Sequence, residues 1–364
     1  MAASKVAEPM KGKLPLGPFD TALRQPLLLE LELDGPRVAA ASLRHGLSRR
    51  GIELGFEGLA PEQGLELAGR ICARSCVAHS VAFCQALEDA LGVQVGGPPA
   101  AFRAIIAEYE RVASHLLVIS DIGRAISDDM VYGGPRRYVG RIRDAFRQAS
   151  GSPFGLGMPV PGGGRVDGDG RALRELSRTW KAIERDCGLW ALKLKLSGAR
   201  LRGARLPASS FEEDAPPAPA FRAAGLARDA RSGESAYGYY GLFRYRPVTR
   251  EGGSALDRAL LLLGEVRASI AVIRKLSDAE GVNPGLPEEV LFRKGNGVGV
   301  CESPDGAVEH RVFLGAEGKI IRNRVSSAVA AVAEVTPEAL AGTFYEDVAP
   351  AVISLCLCAA CLDL

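Results

Sequence analysis

The sequence lacks several features that would decide its class at once. No apolar run among its 364 residues reaches the roughly 20 residues that span a bilayer, which predicts a soluble chain. The start has lysines and prolines but no apolar core segment, so no secretory signal is predicted. With 45 basic and 43 acidic side chains, the sequence has no concentrated positive charge for nucleic acid. Four histidines give no basis for a serine–histidine–acid arrangement.

A dinucleotide fingerprint is also missing. The glycine-rich stretches "GNGVG" and "PGGGRVDGDG" do not follow the G-x-G-x-x-G pattern between a strand and a helix. We therefore predict turn glycines in both stretches and no directly bound nicotinamide. Eight cysteines are present without an export signal, which indicates a reducing compartment where thiols act as ligands, reactive groups or core residues.

The hydrophobic patterns predict an α+β fold. Residues 14–45 alternate apolar and polar side chains around Asp34-Gly35, a hairpin turn signal, and residues 290–325 also indicate strands. Between them, apolar residues three and four apart predict helices at about 60–91, 99–130, 137–150, 170–198 and 254–279, and another at 336–349. The predicted architecture is a central helical bundle with a small β-element built from both ends of the chain.

Two groups of cysteines lie far apart in the sequence. Cys72 and Cys76 are four residues apart, so on a helix they would share a face with His79 close by. Cys358 and Cys361 form a C-x-x-C motif near the other end. Together, four thiols suit zinc, an iron–sulfur cluster or nickel. Buried core residues are the alternative for each cysteine, and we predict that role for Cys84, Cys187 and Cys301.

These motifs resemble those of nickel–iron hydrogenase large subunits. "RICARSCVAH" is similar to the R-x-C-G-x-C-x-x-x-H motif, and "CAAC" is similar to the closing D-P-C-x-x-C motif. The resemblance points to the membrane-bound, energy-converting branch and to the quinone-site (49-kDa-type) subunit of respiratory complex I. It is carried end to end by further segments, including "LPLGPFDTALRQPLLLELELDG", "RHGLSRRGIE", "AAFRAIIAEYERVASHLLVISDIG", "PGGGRVD", "RAAGLARDAR" and "EVRASIAVI".

The resemblance implies one large-subunit-like domain over residues 1–364. Its β-rich parts would be 14–45 and 290–325, its bundle mainly 60–280, and its C-terminal helix and cysteine motif 336–364. It also implies a site between the bundle and the β-element. The implied metal ligands are Cys72, Cys76, Cys358 and Cys361; Arg70, His79 and the proton-relay glutamate, Glu53, are the implied catalytic residues; Asp20 and Asp305 occupy cofactor-binding positions.

The chain departs from the family pattern at several of these positions. Ser75 stands at the second cysteine position, with Cys76 one residue later. Asp305 replaces the arginine that lies over the diatomic ligands of the metal, and Asp20 replaces the histidine that helps to bind a quinone headgroup. A buried carboxylate beside such a site would be protonated, turned away or paired, for example with Arg311 or Arg322.

Three functions remain open from the sequence. The first is an oxidoreductase subunit of an energy-converting hydrogenase-like complex with a degenerate nickel–iron site. The second is a complex I-like subunit in which a quinone or another small oxidant reacts without nickel. The third is a structural subunit whose cysteines bind zinc or no metal. The resemblance implies as partners an iron–sulfur small subunit and membrane ion-pumping subunits, and a cytoplasmic location on the inner face of the membrane.

Overall fold

The computed structural model describes residues 11–18, 20, 23, 25–168, 170–233, 237–242, 244–285 and 290–364. The strands of this part of the chain are β1 (Lys11–Leu16), β2 (Leu28–Asp34), β3 (Arg37–Arg44), β4 (Pro159–Val160), β5 (Gly163–Gly164), β6 (Gly295–Ser303), β7 (Gly306–Leu314) and β8 (Ile320–Ser327). The helices are α1 (Ile52–Gly55), α2 (Pro61–Ala68), α3 (Cys76–Leu91), α4 (Gly97–Ala125), α5 (Asp129–Ser150), α6 (Arg171–Glu175), α7 (Ser177–Leu196), α8 (Pro219–Ala223), α9 (Ala255–Glu280), α10 (Val329–Leu340), α11 (Val348–Ser354) and α12 (Ala359–Leu362).

The predicted α+β class is confirmed, and the described strands form two separate three-stranded sheets and a short two-stranded one, β4 with β5. Strands β1, β2 and β3 form an antiparallel N-terminal sheet, with the predicted hairpin turn at Asp34 and Gly35. Gly35 has φ +59°, the left-handed conformation that suits glycine. Strands β6, β7 and β8 form a C-terminal antiparallel sheet. Each end of the chain therefore supplies a sheet of its own.

The longest helix, α4, lies at the centre of the bundle and packs against α5 and α9. Its apolar side chains are buried on most of its surface, which agrees with the stripe seen in the sequence. The Asp128 side chain accepts hydrogen bonds from two backbone N–H groups of the first turn of α5, and Ser254 caps α9 in the same way. These caps fix where the two neighbouring helices begin.

Strand β6 packs directly on α3 because alternate residues of the strand are glycines. A Cβ atom on Gly297 would lie 2.3 Å from the Ala86 carbonyl oxygen, and one on Gly299 would lie 2.0 Å from that of Ala82. Side chains at these positions would collide with the helix backbone. The prediction of turn glycines in "GNGVG" is therefore wrong: the glycines are strand residues that allow a helix and a sheet to approach closely.

Two predicted helix boundaries are also wrong. The segment predicted at 336–349 is divided between α10 and α11, because Gly342 has φ +77° and the chain from there bonds to β3 through Val38. The region 60–91 is divided between α2 and α3 by a turn at 69–75 that carries Cys72.

A network of ionised side chains is buried in the bundle beside the C-terminal sheet. Glu108 accepts hydrogen bonds from Arg231 Nη1 at 2.9 Å and from Ser269 Oγ at 2.6 Å. Arg222 Nε donates to Glu265 at 2.6 Å, and Arg222 Nη1 donates to Glu302 at 2.8 Å. We call this group the buried ionic network; its charged members are Glu108, Arg111, Arg222, Asp229, Arg231, Glu265 and Glu302, all of them buried.

Candidate functional site

Three cysteines from the two ends of the chain meet in the interior. Cys72 lies in the turn before α3, Cys358 precedes α12, and Cys361 lies within α12. Their Sγ atoms lie within 4.8 Å of one another, and those of Cys72 and Cys358 are 3.3 Å apart. The expected meeting of the two cysteine motifs is thus observed. We call these residues the three-thiol group.

The resemblance implies four cysteine ligands, but within the described residues no fourth thiol joins the three-thiol group. Cys72 is not helical: the Ser75 N–H bonds back to the Cys72 carbonyl in a turn, so the argument from helical spacing does not apply. Cys76 begins α3, is buried, and lies outside the group within the described part of the chain. Ser75 is fully buried, and its Oγ has no hydrogen-bond partner among the residues that the structure describes.

Side chains from the N-terminal region hold the closing cysteine motif in place. Gln25 donates to the Leu357 carbonyl and accepts from the Ala359 N–H, both at 2.6 Å. Arg50 Nη2 donates to the carbonyls of Ile71 at 2.8 Å and Ala360 at 3.2 Å. Arg50 therefore joins the two cysteine segments.

The last turn of the chain is anchored in the same way. The carboxylate of Asp363 accepts from the backbone N–H groups of Gly46 at 2.5 Å and Ser48 at 2.7 Å. Gln25, Arg50 and Asp363 are not among the site residues predicted from the sequence. The only signal was that Gln25 and Arg50 lie within segments matched to the family.

Asp305 forms a buried ion pair with Arg74, which follows Cys72 by two residues. Burial raises the pKa of Asp305 to about 6, although the Arg74 charge acts in the opposite direction. The predicted partners Arg311 and Arg322 are wrong, since both lie exposed on their strands and Arg311 bonds to Glu309. Pairing itself was among the predicted outcomes. Arg74 thus brings a guanidinium to the site, where Asp305 stands at the position at which the resemblance implies an arginine.

His79 contacts the three-thiol group directly. Its Nε2 atom lies 3.6 Å from Cys361 Sγ, and its Nδ1 atom lies 3.1 Å from His310 Nε2. Burial lowers the pKa of His79 to about 4, so the ring is neutral near pH 7. The structure therefore places His79 at the predicted site.

Three other predicted site residues have different surroundings. The Arg70 side chain is exposed and bonds to Glu66. Glu53 accepts from the Val325 N–H at 2.8 Å and lies 3.7 Å from Arg324, so it joins α1 to β8. Asp20 is half-buried, and its backbone carbonyl accepts from the Leu23 N–H at 3.2 Å. The contacts of the Arg70 and Glu53 side chains do not include the three-thiol group. The predicted roles of all three residues stay predictions.

A cavity of about 350 Å³ adjoins the three-thiol group. Its polar lining residues are Gln25, Cys72, Arg74, Asp121 and Cys358. Its other walls are mainly apolar and come from the N-terminal region, α4 and the C-terminal segment: Leu23, Pro26, Leu27, Leu117, Val118, Val352, Ile353 and Leu357. An apolar cavity of this size with a few polar groups is typical of a small-molecule site. We call it the thiol cavity.

The electrostatics of the site favour a thiolate at Cys358. Hydrogen bonds from Cys361 and Cys72 lower the pKa of Cys358 well below its usual range, and the Arg74 charge acts in the same direction. Cys361 and Cys72, as the donors, have raised pKa values. The group can thus share one negative charge among three sulfurs.

The donor set does not fit a nickel–iron centre. Such a centre in the family uses four thiolates, whereas this site offers three and the hard, neutral hydroxyl of Ser75. Three thiolates do fit one soft or borderline metal ion with a remaining open position.

A helical bundle with two terminal sheets and a buried cysteine site agrees with the resemblance to hydrogenase-type large subunits that the sequence motifs carry. The family model described as "Respiratory-chain NADH dehydrogenase, 49 Kd subunit" matches residues 140–286. The membrane-bound hydrogenase subunit alpha of Pyrococcus furiosus is 26% identical over 96% of this chain and 87% of that relative. An NADH-quinone oxidoreductase subunit of Desulfitobacterium hafniense is 24% identical over 82% of this chain and 80% of that relative.

Among solved structures, the fold matches a chain of the membrane-bound sulfane sulfur reductase, an archaeal respiratory membrane complex. The TM-score is 0.88 at 22% identity, covering 97% of this chain and 98% of that chain. This chain is a homologue of the hydrogenase and complex I subunits, and it is an oxidoreductase subunit of that type. Its relatives are subunits of membrane complexes. In the described part of this chain, no helix has the length and apolar character to cross a membrane.

Proposed function

We propose that this chain provides the substrate cavity of a membrane-associated electron-transfer complex, in which a small acceptor of the quinone class is reduced without a nickel–iron centre. The observation that carries the proposal is the thiol cavity, which combines apolar walls with Arg74 and two cysteines at one end. A quinone ring suits such walls, and its carbonyl oxygens need hydrogen-bond donors.

The residues of the cavity have separate roles in this proposal. The apolar side chains bind the ring and exclude water. Arg74, oriented by Asp305, donates a hydrogen bond to a quinone oxygen and stabilises the negative charge that develops on it. Reduction to the quinol takes up two electrons and two protons. The electrons come from an iron–sulfur small subunit, and the protons come from the thiols and from solvent.

The proposal also includes the neighbours of the chain. The resemblance and the names of the relatives support an iron–sulfur small subunit and membrane ion-pumping subunits as partners, with this chain on the cytoplasmic face of the membrane. The apolar C-terminal segment does not require such a partner for its burial, because residues 350–352 and 354–359 are buried within this chain.

The three-thiol group supports a second candidate function. Three sulfur atoms within 4.8 Å of one another could hold one thiophilic metal ion, with its open position toward the thiol cavity. In this case Cys72, Cys358 and Cys361 are the ligands, and Cys76 is not. A structural role with zinc is the form of this candidate that involves no catalysis.

Metal analysis and activity assays on the intact, co-purified complex separate these functions. We expect no stoichiometric nickel, little or no hydrogen uptake or evolution, and electron transfer to a soluble quinone. Robust hydrogen activity with about one nickel per chain would contradict the proposal. Zinc or another ion at about one per chain, without quinone reduction, would favour the second candidate.

A matched pair of variants tests the cavity itself. Leu117 lines the thiol cavity and is half-buried, so Leu117→Trp should fill the space and lower quinone reduction roughly tenfold or more. Leu196 is 74% exposed on α7, and Leu196→Trp is the control with the same change of side chain. Equal quinone reduction by both variants would exclude the thiol cavity as the binding site.

A further inference from the structure

The thiol cavity has one carboxylate among its described lining residues, that of Asp121. Asp121 lies near the end of α4, one helical turn after Leu117, which lines the same cavity. Its side chain is 17% exposed, so the carboxylate is neither fully enclosed nor free in solvent. The role of this acid is not explained by the binding of an apolar ring.

Arg136 of α5 fixes the Asp121 carboxylate. Arg136 Nη2 donates to Asp121 Oδ1 at 3.2 Å, and Arg136 Nε donates to Ser120 Oγ at 2.9 Å. The guanidinium also lies over the ring of Tyr132, 4.9 Å from its centroid. Because the Arg136 side chain is 36% exposed, the ion pair extends from the wall of the thiol cavity to the surface of the bundle.

Asp121 and Arg74 contact different parts of the thiol cavity. Arg74 also lines a second, smaller cavity together with Ser114 and Leu117 of α4, and Asp121 is not among the described residues of that cavity. Each helical residue adds about 1.5 Å, so Asp121 lies roughly 6–10 Å beyond Leu117 and Ser114 along the axis of α4. A para-quinone carries its two carbonyl oxygens at opposite ends of the ring. A ring bound along α4 would therefore present one oxygen to Arg74 and the other to Asp121.

We propose that Asp121 is a catalytic proton relay for the quinone oxygen that lies away from Arg74, with Arg136 as its positioning residue. Solvent protonates the Asp121 carboxylate. After the ring has taken up electrons from the iron–sulfur partner, the O–H bond of Asp121 breaks and an O–H bond forms on the quinone oxygen. Asp121 is then a carboxylate again. One proton of the quinol travels by this route, and the thiols supply the other.

The charges around Asp121 are compatible with this step. The reduced ring is electron-rich, and a carboxylate beside it would repel it. Arg136, bonded to Asp121, and Arg74, in the other part of the cavity, are the cationic groups that offset this repulsion. The inference rests on the quinone reduction proposed above, since it assigns the route of one of the protons consumed there.

Asp121→Asn tests the relay in the intact, co-purified complex with a soluble quinone as acceptor. The amide keeps the size of the side chain and can accept from Arg136, but it cannot carry a proton. We expect kcat to fall roughly a hundredfold while KM stays within about threefold of its original value. Asp121→Glu retains an acid and should keep most of kcat. The control is Asp144→Asn on α5, because Asp144 is 61% exposed, pairs with Arg147 and should not affect kcat.

Chemical rescue separates proton transfer from a role in shape or stability. An ion pair that only joins α4 to α5 would change the stability of the complex, and a small acid would not restore its activity. Asp121→Ala leaves space beside the cavity, so added formate should raise kcat of this variant severalfold and leave that of the unaltered complex unchanged. This variant also decides the question if Asp121→Asn does not assemble.

Three results would overturn the relay: an unchanged kcat in Asp121→Asn, a loss confined to KM, or no rescue of Asp121→Ala by formate. Failure of the proposed function gives a different result. In that case the unaltered complex reduces no quinone. An unaltered complex that is active, beside an equally active Asp121→Asn, contradicts the relay alone.

Discussion

Two buried polar regions of this chain differ in how completely their groups are paired. In the buried ionic network, every carboxylate accepts from at least two donors, and Glu108 alone bonds to two arginines, Tyr240 and Ser269. In the described residues around the three-thiol group, by contrast, Arg74 Nε, Ser75 Oγ and Asp305 Oδ2 have no partner. Pairing in the network is also incomplete, because Arg222 Nη2 and the neighbouring His115 Nδ1 have no partner among the described residues.

This difference is what we expect if the network supports the fold and the region around the three-thiol group takes a ligand, as proposed above. A buried polar group without a partner costs about 1–3 kcal/mol, and a ligand that paired such a group would offset this cost. Of the three unpaired groups, that of Arg74 belongs to a residue that lines the thiol cavity. Paired groups in the network instead hold α4, α8, α9 and the end of β6 together. Both regions meet near Asp305, because Arg111 bonds to the carbonyls of Glu302 and Ser303.

Breaking the network should give the largest loss of stability. Glu108→Gln keeps the size of the side chain but leaves Arg111 and Arg231 without their shared carboxylate. We expect the free energy of unfolding to fall by about 3–5 kcal/mol, measured by denaturant titration. Glu184 pairs with Arg274 in a half-exposed position, and Glu184→Gln is the matched control with an expected loss below about 1 kcal/mol. Equal losses would mean that the network is not the stabilising region.

The Arg74–Asp305 pair, at the thiol cavity, should behave as a coupled unit. Asp305→Leu alone leaves the partly buried Arg74 charge without its carboxylate, and we expect a loss of about 2–3 kcal/mol. Adding Arg74→Met removes that charge and should restore much of the stability, which corresponds to a coupling of about 2 kcal/mol in a double-mutant cycle. Additive losses would show that the two side chains do not interact in solution. Quinone reduction should stay low in the double variant, since the cavity lacks its guanidinium.

Stability should also depend on pH through the network. It contains four carboxylates and three guanidiniums, and burial with the nearby Asp229 raises the pKa of Glu302 to about 7. Between the ordinary pKa of a glutamate and about 7, the folded chain holds a proton that the unfolded chain has lost. The contribution of Glu302 therefore falls as pH rises through this window, by about 2 kcal/mol between pH 5 and 7. Asp305, whose pKa burial raises to about 6, contributes a slope of the same sign in this window. Urea titrations at pH 5 and 7 should therefore show a slope in the native chain that Glu302→Gln reduces by the Glu302 contribution without abolishing it.

Much of the fold could be predicted from the sequence because its local signals agree with the tertiary structure. The hairpin at Asp34-Gly35 and the apolar stripe of α4 are examples. The failures have physical reasons. Glycines at 297 and 299 suggest turns until the helix that packs on them is known. The helix predicted at 336–349 is interrupted because Gly342 and Thr343 bond to β3, which is distant in the sequence.

The cysteines of the site could be predicted from the sequence, but the side chains that contact them could not. The spacing of the cysteines and the resemblance brought Cys72, Cys358 and Cys361 together correctly in space. Partners such as Arg74 for Asp305, or His310 and Asn323 behind His79, depend on contacts between residues more than 200 positions apart or on neighbouring strands. A pattern along the chain carries no signal for such contacts.

The smallest predicted changes in the free energy of unfolding concern two buried serines, one in each region. Ser269 Oγ donates to Glu108 at 2.6 Å, so Ser269→Ala should lower the free energy of unfolding by about 1–2 kcal/mol. Ser75 Oγ has no partner within the described residues, so Ser75→Ala removes an uncompensated polar group and should raise stability by up to about 1 kcal/mol. Both changes delete the same hydroxyl from a fully buried position, and each serves as the control for the other in parallel denaturant titrations. Opposite signs would support the comparison. A loss for Ser75→Ala as large as that for Ser269→Ala would show that Ser75 is already paired, and the site would then be as complete as the network.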